Sequence, residues 1–310
     1  MAQIFSVGPE QGQYRFKGAS CAFGVFDGLH LGHKYLLASA CQTAEESGGA
    51  ALALTFDIDP DELFHAERLK KLLSNSDRLQ ALARSGVDAV AMLYFTPEFA
   101  ALEPRAFLEE TFGDFPPAYL HVGSDFRFGA KASGTVDDLR AWAEESGTQI
   151  CAHSLVSADG LPITSTRIRL LLADGKIEEA NALLGYPYTL SDVVKPGRGQ
   201  GADFGFATAN MEIDAMRCVL GEGVYAGRAY VGLQDYRAAI AVGKSPVFEA
   251  DTTANVEVHL LDFEGDLYDK RVEVEFLHRI RPMIHFSSTE ELVAEVKNNI
   301  EWVRNNISLT

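Results

Sequence analysis

The chain has 310 residues, 47% of them hydrophobic and 23% charged, which favours a globular protein of two domains. Its net charge of −17 argues against a general nucleic-acid binder, because such proteins need a basic surface. No apolar run approaches the ~18 residues of a membrane helix, and the N-terminal stretch lacks the layout of a signal peptide. The four scattered cysteines form no C-x-x-C pair, so we expect reduced thiols in a cytoplasmic protein without a membrane partner.

The first informative stretch covers residues 21–37 and predicts a strand, a glycine turn at Gly24 and a helix. His30 and His33 fall in the first helical turn, three residues apart, so their imidazoles share one face. Gly32 between them leaves the backbone open to a ligand, and a helix N-terminus favours anions. The pattern predicts a polyphosphate site. The alternative is a pair of ordinary surface histidines in a strand–helix turn.

A second apolar strand is predicted over residues 50–56, and the acidic stretch 57–62 follows it directly. The carboxyl end of such a strand is where open α/β sheets bind ligands. The acidic stretch therefore suits contact with Mg²⁺ or with a hydroxyl-bearing ligand. A solvated turn explains it equally well.

A loop over residues 123–129 combines an acid, a base and two aromatic rings: Asp125, Arg127, Phe126 and Phe128. Aromatic rings beside a phosphate-binding turn suit a planar ring ligand. The alternative is that the rings fill the core, and we expect this of at least one. The elements predicted on either side are a helix over 76–85, a strand over 89–95, a helix over 97–112, a strand over 118–122, a helix over 135–145 and a strand over 149–154.

The segment 163–169, ITSTRIR, opens a further helix with Ser165 and Thr166 as candidate N-caps. Arg167 and Arg169 lie in its first turn, where the helix dipole disfavours cations. Hydroxyls, free N–H groups and arginines together can clamp a phosphate. The alternative is a plain N-cap with surface arginines.

Strands and helices alternate up to a helix over 177–184, which predicts a mostly parallel sheet in a domain of residues 1–185. Strands then dominate, and a small β-barrel is expected in residues 186–310. A C-terminal helix follows, with Ser288 and Glu291 as a capping box and an apolar stripe that packs on the barrel. The predicted barrel strands cover residues 222–231, 235–242, 255–263 and 271–277, with a turn over 264–266.

The barrel half contains a second candidate site. Thr208 and Asn210 lie two apart in an extended segment, so their oxygens face one way and suit Mg²⁺-bound phosphate. Glu257, on an alternating strand whose other face carries Val256 and Val258, suits a base for an alcohol nucleophile. A plain turn is the alternative for the Thr–Asn segment.

These motifs together resemble the prokaryotic bifunctional riboflavin kinase/FAD synthetases over nearly the whole chain. GVFDGLHLGH, GSDFRFG and ITSTRIR carry the resemblance in the first half, and GFATAN, GVYAGRAYV, VEVHLLDFEGDLY and IRP carry it in the second. The resemblance implies a Rossmann-like α/β nucleotidyltransferase domain with a parallel sheet. It also implies a flavokinase-like antiparallel β-barrel with a C-terminal helix.

The resemblance further implies an enzyme that phosphorylates riboflavin to FMN and adenylylates FMN to FAD, with ATP and Mg²⁺ as co-reactants. His30 and His33 would contact ATP phosphates, Thr208 and Asn210 would hold Mg–ATP, and Glu257 would be the kinase base. Further ATP-binding positions implied are Gly24, Phe26, Gly32, Ser165, Thr166, Arg169 and Gly205. Flavin-binding positions implied are Asp125, Phe126 and Phe128. The implied partners are these small molecules, with no nucleic acid, and the sequence is compatible with a homo-oligomer.

Several positions depart from the family pattern. Ile58-Asp59-Pro60 stands where the family has Pro-His-Pro. In the barrel half, Ala207 stands for the usual proline, Ala241 for asparagine, Val247 for threonine and Asp269 for glycine. Two alternatives follow: only the adenylylating module is active, or both sites have decayed in a flavin-binding regulatory protein.

Overall fold

The structure, a computed structural model, describes residues 1–8, 11–65, 69–195, 206–244 and 254–309. The chain folds into two compact units, Met1–Ser165 and Thr166–Thr310. The predicted domain boundary after Gly185 lies further along the chain and stays a prediction. Gly205 and Val247 lie outside the described residues. Within the described ranges, no helix combines the length and the apolar character needed to cross a membrane.

The first unit is built on a six-stranded parallel sheet in the order β1-β4-β3-β2-β5-β6. Its strands are Gln3–Val7 (β1), Ser20–Phe23 (β2), Ala51–Phe56 (β3), Ala89–Leu93 (β4), Tyr119–Gly123 (β5) and Gln149–His153 (β6). The helices are Leu31–Ser47 (α1), Pro60–His65 (α2), Asn75–Ala83 (α3), Pro97–Ala100 (α4), Pro104–Phe112 (α5) and Val136–Ser146 (α6). A two-stranded ribbon of Ser157–Ala158 (β7) and Leu161–Pro162 (β8) precedes Ser165. The predicted parallel α/β sheet is confirmed.

Both faces of this sheet are covered, which explains the continuous apolar runs of β2 and β3. On one face, Leu37 and Ala40 of α1 pack in a core with Ala22 and Ala53. On the other face, a core rich in phenylalanine includes Phe23. The strand order reverses around β2, which has β3 on one side and β5 on the other. The loops after β2 and β5 therefore flank a switch point, where sheets of this kind bind ligands.

The structure differs from the predictions for this unit in two places. The strand β1 was not predicted, because its short, partly exposed sequence carries little apolar signal; it pairs with β4 at the sheet edge. The helix predicted over 97–112 is broken into α4 and α5. Glu103, with ψ 154°, is extended before Pro104, which begins α5, because a proline disfavours helical geometry in the residue before it.

The second unit is a closed barrel of antiparallel strands in the order β10-β13-β12-β11-β14-β9. Its strands are Tyr188–Lys195 (β9), Ala209–Glu212 (β10), Gly223–Val231 (β11), Gln234–Lys244 (β12), Ala254–Leu260 (β13) and Arg271–Arg281 (β14). The helices are Ser165–Ala173 (α7), which starts at the unit boundary, Ile177–Leu184 (α8) and Thr289–Asn306 (α9). The predicted barrel and terminal helix are confirmed. The strand β9 was not predicted, and β10 was predicted only as an extended segment at Thr208 and Asn210. The turn over 264–266 forms no hairpin, because β13 pairs with β10 and β12 instead of β14.

The helix α9 begins as predicted and covers the barrel. The Ser288 side chain accepts a hydrogen bond from the Glu291 backbone N–H at 3.2 Å. The Glu291 carboxylate accepts from Ser287 instead of Ser288, so only half of the predicted capping box forms. Val303 and Ile307 at the far end of the apolar stripe are buried against the barrel core.

The close approach of β11 to β14 predicts a sensitive glycine. At Gly227, beside a register shift between these strands, a Cβ would overlap the carbonyl oxygen of Glu275. We expect Gly227→Ala to lower the free energy of unfolding by about 1–3 kcal/mol, because backbone must move to admit the methyl group. The control is Gly243→Ala in β12, whose Cβ would meet, among the described residues, only Met283 Cε, at 3.9 Å. Urea unfolding followed by far-UV circular dichroism measures both, and equal midpoints would contradict the prediction.

Candidate functional site

The predicted histidine pair lies at the N-terminus of α1, beside the switch point of the sheet. His30 is the N-cap, and its Nδ1 accepts the backbone N–H of His33 at 3.3 Å. The two rings stack with centroids 3.7 Å apart and planes 16° from parallel. His30 is 5% exposed, so it is not an ordinary surface residue. The predicted sharing of one helix face is confirmed, and the pair stands where α1 leaves its first N–H groups without helical partners.

The residues around the pair fix its geometry. The ring of Phe26 is fully buried and meets the ring of His33 edge-on at 5.3 Å. A Cβ at Gly32 would lie 3.1 Å from the imidazole of His30, so this glycine makes room for the ring. Gly24 ends β2, and its N–H donates to Leu54 O at 3.1 Å. Part of the motif thus serves to place the two imidazoles.

The His33 ring is an uncharged hydrogen-bonding group. Burial, and next the neighbouring His30, hold the pKa of His33 well below its ordinary value, so the ring is neutral at physiological pH. Its Nδ1 is buried and has no hydrogen-bond partner among the described residues. A buried polar atom of this kind is costly to leave unpaired.

The loop after β5 lies on the other side of the switch point. Asp125 is exposed, and its carboxylate lies 2.8 Å from where a Cβ on Gly123 would stand. Phe126 is half-buried and packs on Phe23 at 5.0 Å. Phe128 is 4% exposed and belongs to the core, so the expectation that one ring fills the core is confirmed. The flavin contacts of the loop stay predictions.

The segment 163–169 reaches the motif through Ser165. Its hydroxyl donates to the backbone carbonyl of Asp27 at 2.8 Å. Thr166 and Arg169 lie on α7 in the second unit, and their part in a phosphate clamp stays a prediction.

Three carboxylates of the acidic stretch after β3 accept hydrogen bonds from the backbone, whereas Asp61 is exposed. Contact of this stretch with Mg²⁺ or with a hydroxyl-bearing ligand stays a prediction. The Asp57 carboxylate accepts the N–H of Phe95 at 2.8 Å, and Asp59 accepts the N–H of Asp61 at 3.0 Å. The Glu62 carboxylate accepts the N–H of Asp59 at 3.0 Å. Asp59 is 7% exposed. These carboxylates stabilise the turn into α2, and within the described ranges no group of three or more His, Cys, Asp or Glu side chains is arranged to hold a metal.

A buried histidine pair, missed by sequence reasoning, joins three strands on the α1 side of the sheet. His121 Nε2 lies 3.1 Å from the Ser20 hydroxyl, and His121 Nδ1 lies 3.0 Å from His153 Nε2. The ring of Tyr35 meets His153 edge-on at 5.5 Å. Burial, and next the charge of His153, lower the pKa of His121 to about 4, and burial lowers that of His153. A histidine inside an apolar strand was the available sequence signal.

This pair predicts sensitivity to acid. The pKa of His121 is about 4 when folded against 6.5 as its ordinary value, so only the unfolded chain is protonated between these values. The free energy of unfolding therefore falls as pH drops from 6.5 towards 4, by about 1–3 kcal/mol from this group. We expect His121→Gln to flatten the pH dependence of urea unfolding. Exposed His65→Gln is the control, and an unchanged pH slope in His121→Gln would refute the assignment.

Two residues of the second predicted site, Asn210 and Glu257, lie on neighbouring strands of the barrel. Asn210 on β10 is the register partner of Glu257 on β13. Val256 and Val258 are fully buried inside the barrel, so Glu257 lies on the outward face, as predicted. Asn255 Nδ2, which was not predicted, donates to Glu257 Oε1 at 2.9 Å. The alternation of β13 could have indicated Asn255, because residues two apart share a face.

The other barrel positions are explained in part. Thr208 is exposed just before β10, and its carbonyl oxygen lies 3.5 Å from Asn210 Nδ2. The carbonyl of Ala207 lies 2.9 Å from His259 Nδ1. Ala241 is the other register partner of Glu257, so this departure puts a methyl group beside the carboxylate. Asp269 has φ 60°, the left-handed conformation that glycine prefers and that Asp tolerates.

A histidine pair at a helix N-terminus beside a switch point is typical of an α/β unit that binds phosphorylated ligands. An antiparallel barrel with a carboxylate and an amide on its outer face is the second unit. Residues 13–167 match the family model described as FAD synthetase, and residues 184–307 match the one described as riboflavin kinase.

Relatives match over nine-tenths of the chain or more. The bifunctional riboflavin kinase/FMN adenylyltransferase of Listeria monocytogenes is 31% identical over 285 residues, which cover 91% of this chain and 90% of the relative. That of Pseudomonas fluorescens is 32% identical over 289 residues, covering 93% of each. A solved structure described as a macrolide-efflux protein from Streptococcus pneumoniae is similar with a TM-score of 0.86 and 29% identity, covering 98% of this chain and 99% of that one. The chain therefore belongs to the family of bifunctional riboflavin kinase/FMN adenylyltransferases.

Proposed function

We propose that the chain uses ATP to make FMN from riboflavin on its barrel and FAD from FMN on its parallel-sheet unit. One observation carries the proposal: each unit has its own polar cluster, in a chain that both family models match. In the first unit the cluster is the stacked His30–His33 pair. In the second it is Glu257 with its neighbours Asn210 and Asn255.

In FAD formation, a phosphate oxygen of FMN attacks the α-phosphorus of ATP, and the bond to the leaving pyrophosphate breaks. The nucleophile is already an anion, so no general base is needed, and catalysis consists of neutralising charge on the reacting phosphates. His30, His33 and the free N–H groups of α1 supply donors for this purpose. The stacking of the two imidazoles at the N-terminus of α1 supports the proposal, because it places both rings where an anion binds.

The flavin of FMN would bind at the loop after β5. Phe126 is half-buried and so offers part of its ring to a planar ligand, whereas Phe128 supports it from the core, with their centroids 5.8 Å apart. Asp125 is exposed at the edge of the same loop and suits a polar contact with the substrate.

In FMN formation, the terminal ribityl hydroxyl of riboflavin attacks the γ-phosphorus of ATP, and the bond to the leaving ADP breaks. The hydroxyl is neutral, so its proton must go to a base, and Glu257 is the proposed acceptor. The hydrogen bond from Asn255 orients this carboxylate and leaves its second oxygen to the substrate.

Mg²⁺, when bound, would neutralise the phosphates of ATP. The hydroxyl of Thr208 and the amide oxygen of Asn210 are hard ligands that fit such an ion. Asn210 is the register partner of Glu257, and Thr208 is exposed just before β10. Two neutral ligands do not make a cage by themselves, so the ion would be held jointly with the nucleotide.

The proposal is tested by incubating the purified protein with Mg²⁺, ATP and either riboflavin or FMN, and separating the flavins by chromatography. We expect FMN and FAD from riboflavin, and FAD from FMN. FAD from FMN without any product from riboflavin would restrict activity to the first unit. Flavin binding without either product would overturn the enzymatic proposal.

Location and assembly are also proposals. The free thiols of all four cysteines support a cytoplasmic location, and the acidic net charge supports the absence of a nucleic-acid partner. Size-exclusion chromatography with light scattering would decide between a monomer and a homo-oligomer.

A further inference from the structure

The backbone immediately before the histidine pair is strained. Phe26 and Leu29 have φ values of 61° and 35°, in the left-handed region that residues with side chains rarely adopt. Such conformations persist only where surrounding contacts enforce them, and they concentrate at functional sites. The contacts that enforce this turn therefore bear on the placement of His30 and His33.

One set of contacts comes from the buried carboxylate of Asp27. It accepts the N–H of Leu72 at 3.0 Å and that of Leu73 at 3.1 Å. Asp27 is 4% exposed. Two charge-assisted hydrogen bonds therefore connect the segment that leads into α3 to the middle of the strained turn.

A second set comes from Arg78 on α3, whose side chain is buried, with the residue 1% exposed. Its Nη1 donates to Val25 O at 3.0 Å and to Thr55 Oγ1 at 2.6 Å. Its Nη2 donates to Phe56 O at 2.9 Å and to Asp57 O at 3.3 Å. One guanidinium thus joins the start of the strained turn to the carboxyl end of β3. The rigid planar fork of arginine makes this possible, whereas the single ammonium of lysine cannot reach as many acceptors.

The charge of Arg78 is balanced locally. Burial lowers its pKa, and the carboxylates of Asp59, Asp27, Glu62 and Asp57 act against this, Asp59 most strongly. A buried cation needs such partners, since removing them leaves an uncompensated charge. Asp59, which departs from the family pattern, is therefore both the cap of α2 and the leading counter-charge of Arg78.

We propose that Arg78 is a positioning residue for FAD formation: it locks the turn after β2 to the end of β3, so that His30 and His33 meet the reacting phosphates. The inference rests on the proposed function of the first unit and adds a residue that touches neither substrate. Because the histidines act on charge that develops during transfer, a misplaced pair lowers kcat, with little change in KM for ATP or FMN.

The test uses the full-length protein with Arg78→Lys, which keeps the charge and loses the fork. We expect the kcat of FAD formation to fall about 100-fold, since a misplacement of about 1 Å can cost that much. FMN formation from riboflavin, measured in the same sample, is expected to stay within about twofold of the wild type. The rate of FMN formation thus serves as an internal measure of how much folded protein the sample contains.

Leu82→Ala is the matched control for a merely structural effect. Leu82 is fully buried four residues further along α3 and has no side-chain hydrogen-bonding group. Its truncation loosens the core and lowers the melting temperature. If Arg78 acts by position, Leu82→Ala keeps the wild-type kcat at temperatures below its melting transition, while Arg78→Lys does not. If the losses of kcat track the melting temperatures of both variants, the proposal is overturned.

A second variant keeps the proposal testable if Arg78→Lys does not fold. Thr55→Val removes the hydroxyl that accepts from Arg78 and donates to Val25 O at 3.2 Å, with little change of volume. We expect a fall in kcat of about tenfold. The inference is overturned if Thr55→Val has the wild-type kcat and Arg78→Lys either has the wild-type kcat as well or does not fold. Failure of the wild-type protein itself to convert FMN to FAD would instead overturn the proposed function.

Discussion

Replacing Glu257 by Gln is expected to abolish FMN formation from riboflavin while FAD formation from added FMN continues. Gln keeps the size of the side chain and can still pair with Asn255, but it cannot take the proton from the ribityl hydroxyl. Loss of a general base costs about 10²–10⁴-fold in rate, the largest effect we expect in the barrel. Steady-state rates of both reactions, with flavins separated by chromatography, measure the split.

The control for this variant is Glu301→Gln, an exposed carboxylate on α9 in the same unit. It changes the net charge equally and is expected to leave both reactions at the wild-type rate. Loss of both reactions in Glu257→Gln would refute the assignment of two separate sites. Undiminished FMN formation would remove Glu257 from the role of base.

Replacing His33 by Gln is expected to have the opposite effect, with FAD formation reduced and FMN formation unchanged. The imidazole is held by Phe26 and by stacking on His30, so a flexible amide cannot present a donor in the same place. Removing one preorganised donor from developing charge costs about 10²–10³-fold in kcat. Rates at saturating ATP and FMN test this, and a kcat within about twofold of the wild type would exclude a catalytic part for His33.

His30 needs a design that separates its two roles, because it caps α1 and stacks on His33. Asn is a good N-cap, whereas Ala loses the cap at a cost of about 1 kcal/mol. We expect His30→Asn and His30→Ala to lose FAD formation to a similar extent, while only His30→Ala loses stability in urea. Full activity in His30→Asn would show that His30 acts only as a cap.

Two of the substitutions relative to the family pattern, Asp59 and Asp269, fit the fold of this chain. A third, Ala241, lies beside the proposed base Glu257. Asp59 caps α2 and balances Arg78, so its carboxylate has a place in the fold of this chain. Asp269 adopts a backbone conformation suited to glycine. Ala241 beside Glu257 is different, because it removes polar character next to the proposed base. Both family models match the chain, and nothing in the comparisons singles out the barrel as inactive.

Local patterns were enough for much of the molecule. The alternation of β and α elements predicted the parallel sheet, and the alternation in β13 placed Glu257 on the outward face of the barrel. The spacing of His30 and His33 predicted that they share a face. These features depend on helix and strand periodicity and on glycine turns, which neighbouring residues determine.

The tertiary structure decided what depends on residues far apart in the chain. Within the acidic stretch, Asp59 is buried and Asp57 accepts the N–H of Phe95, contacts that depend on residues far away in the chain. Phe128 is buried in the core, whereas Phe126 is half-buried. The sequence pattern of the loop does not predict which of the two rings is buried. His121 pairs with His153 only because β5 and β6 are neighbours in the sheet. Arg78 likewise donates to Val25 O only because α3 packs beside the turn after β2. Residues that are near in the sequence do not determine which distant residues a side chain will contact. Its burial and its hydrogen bonds therefore depend on the tertiary structure.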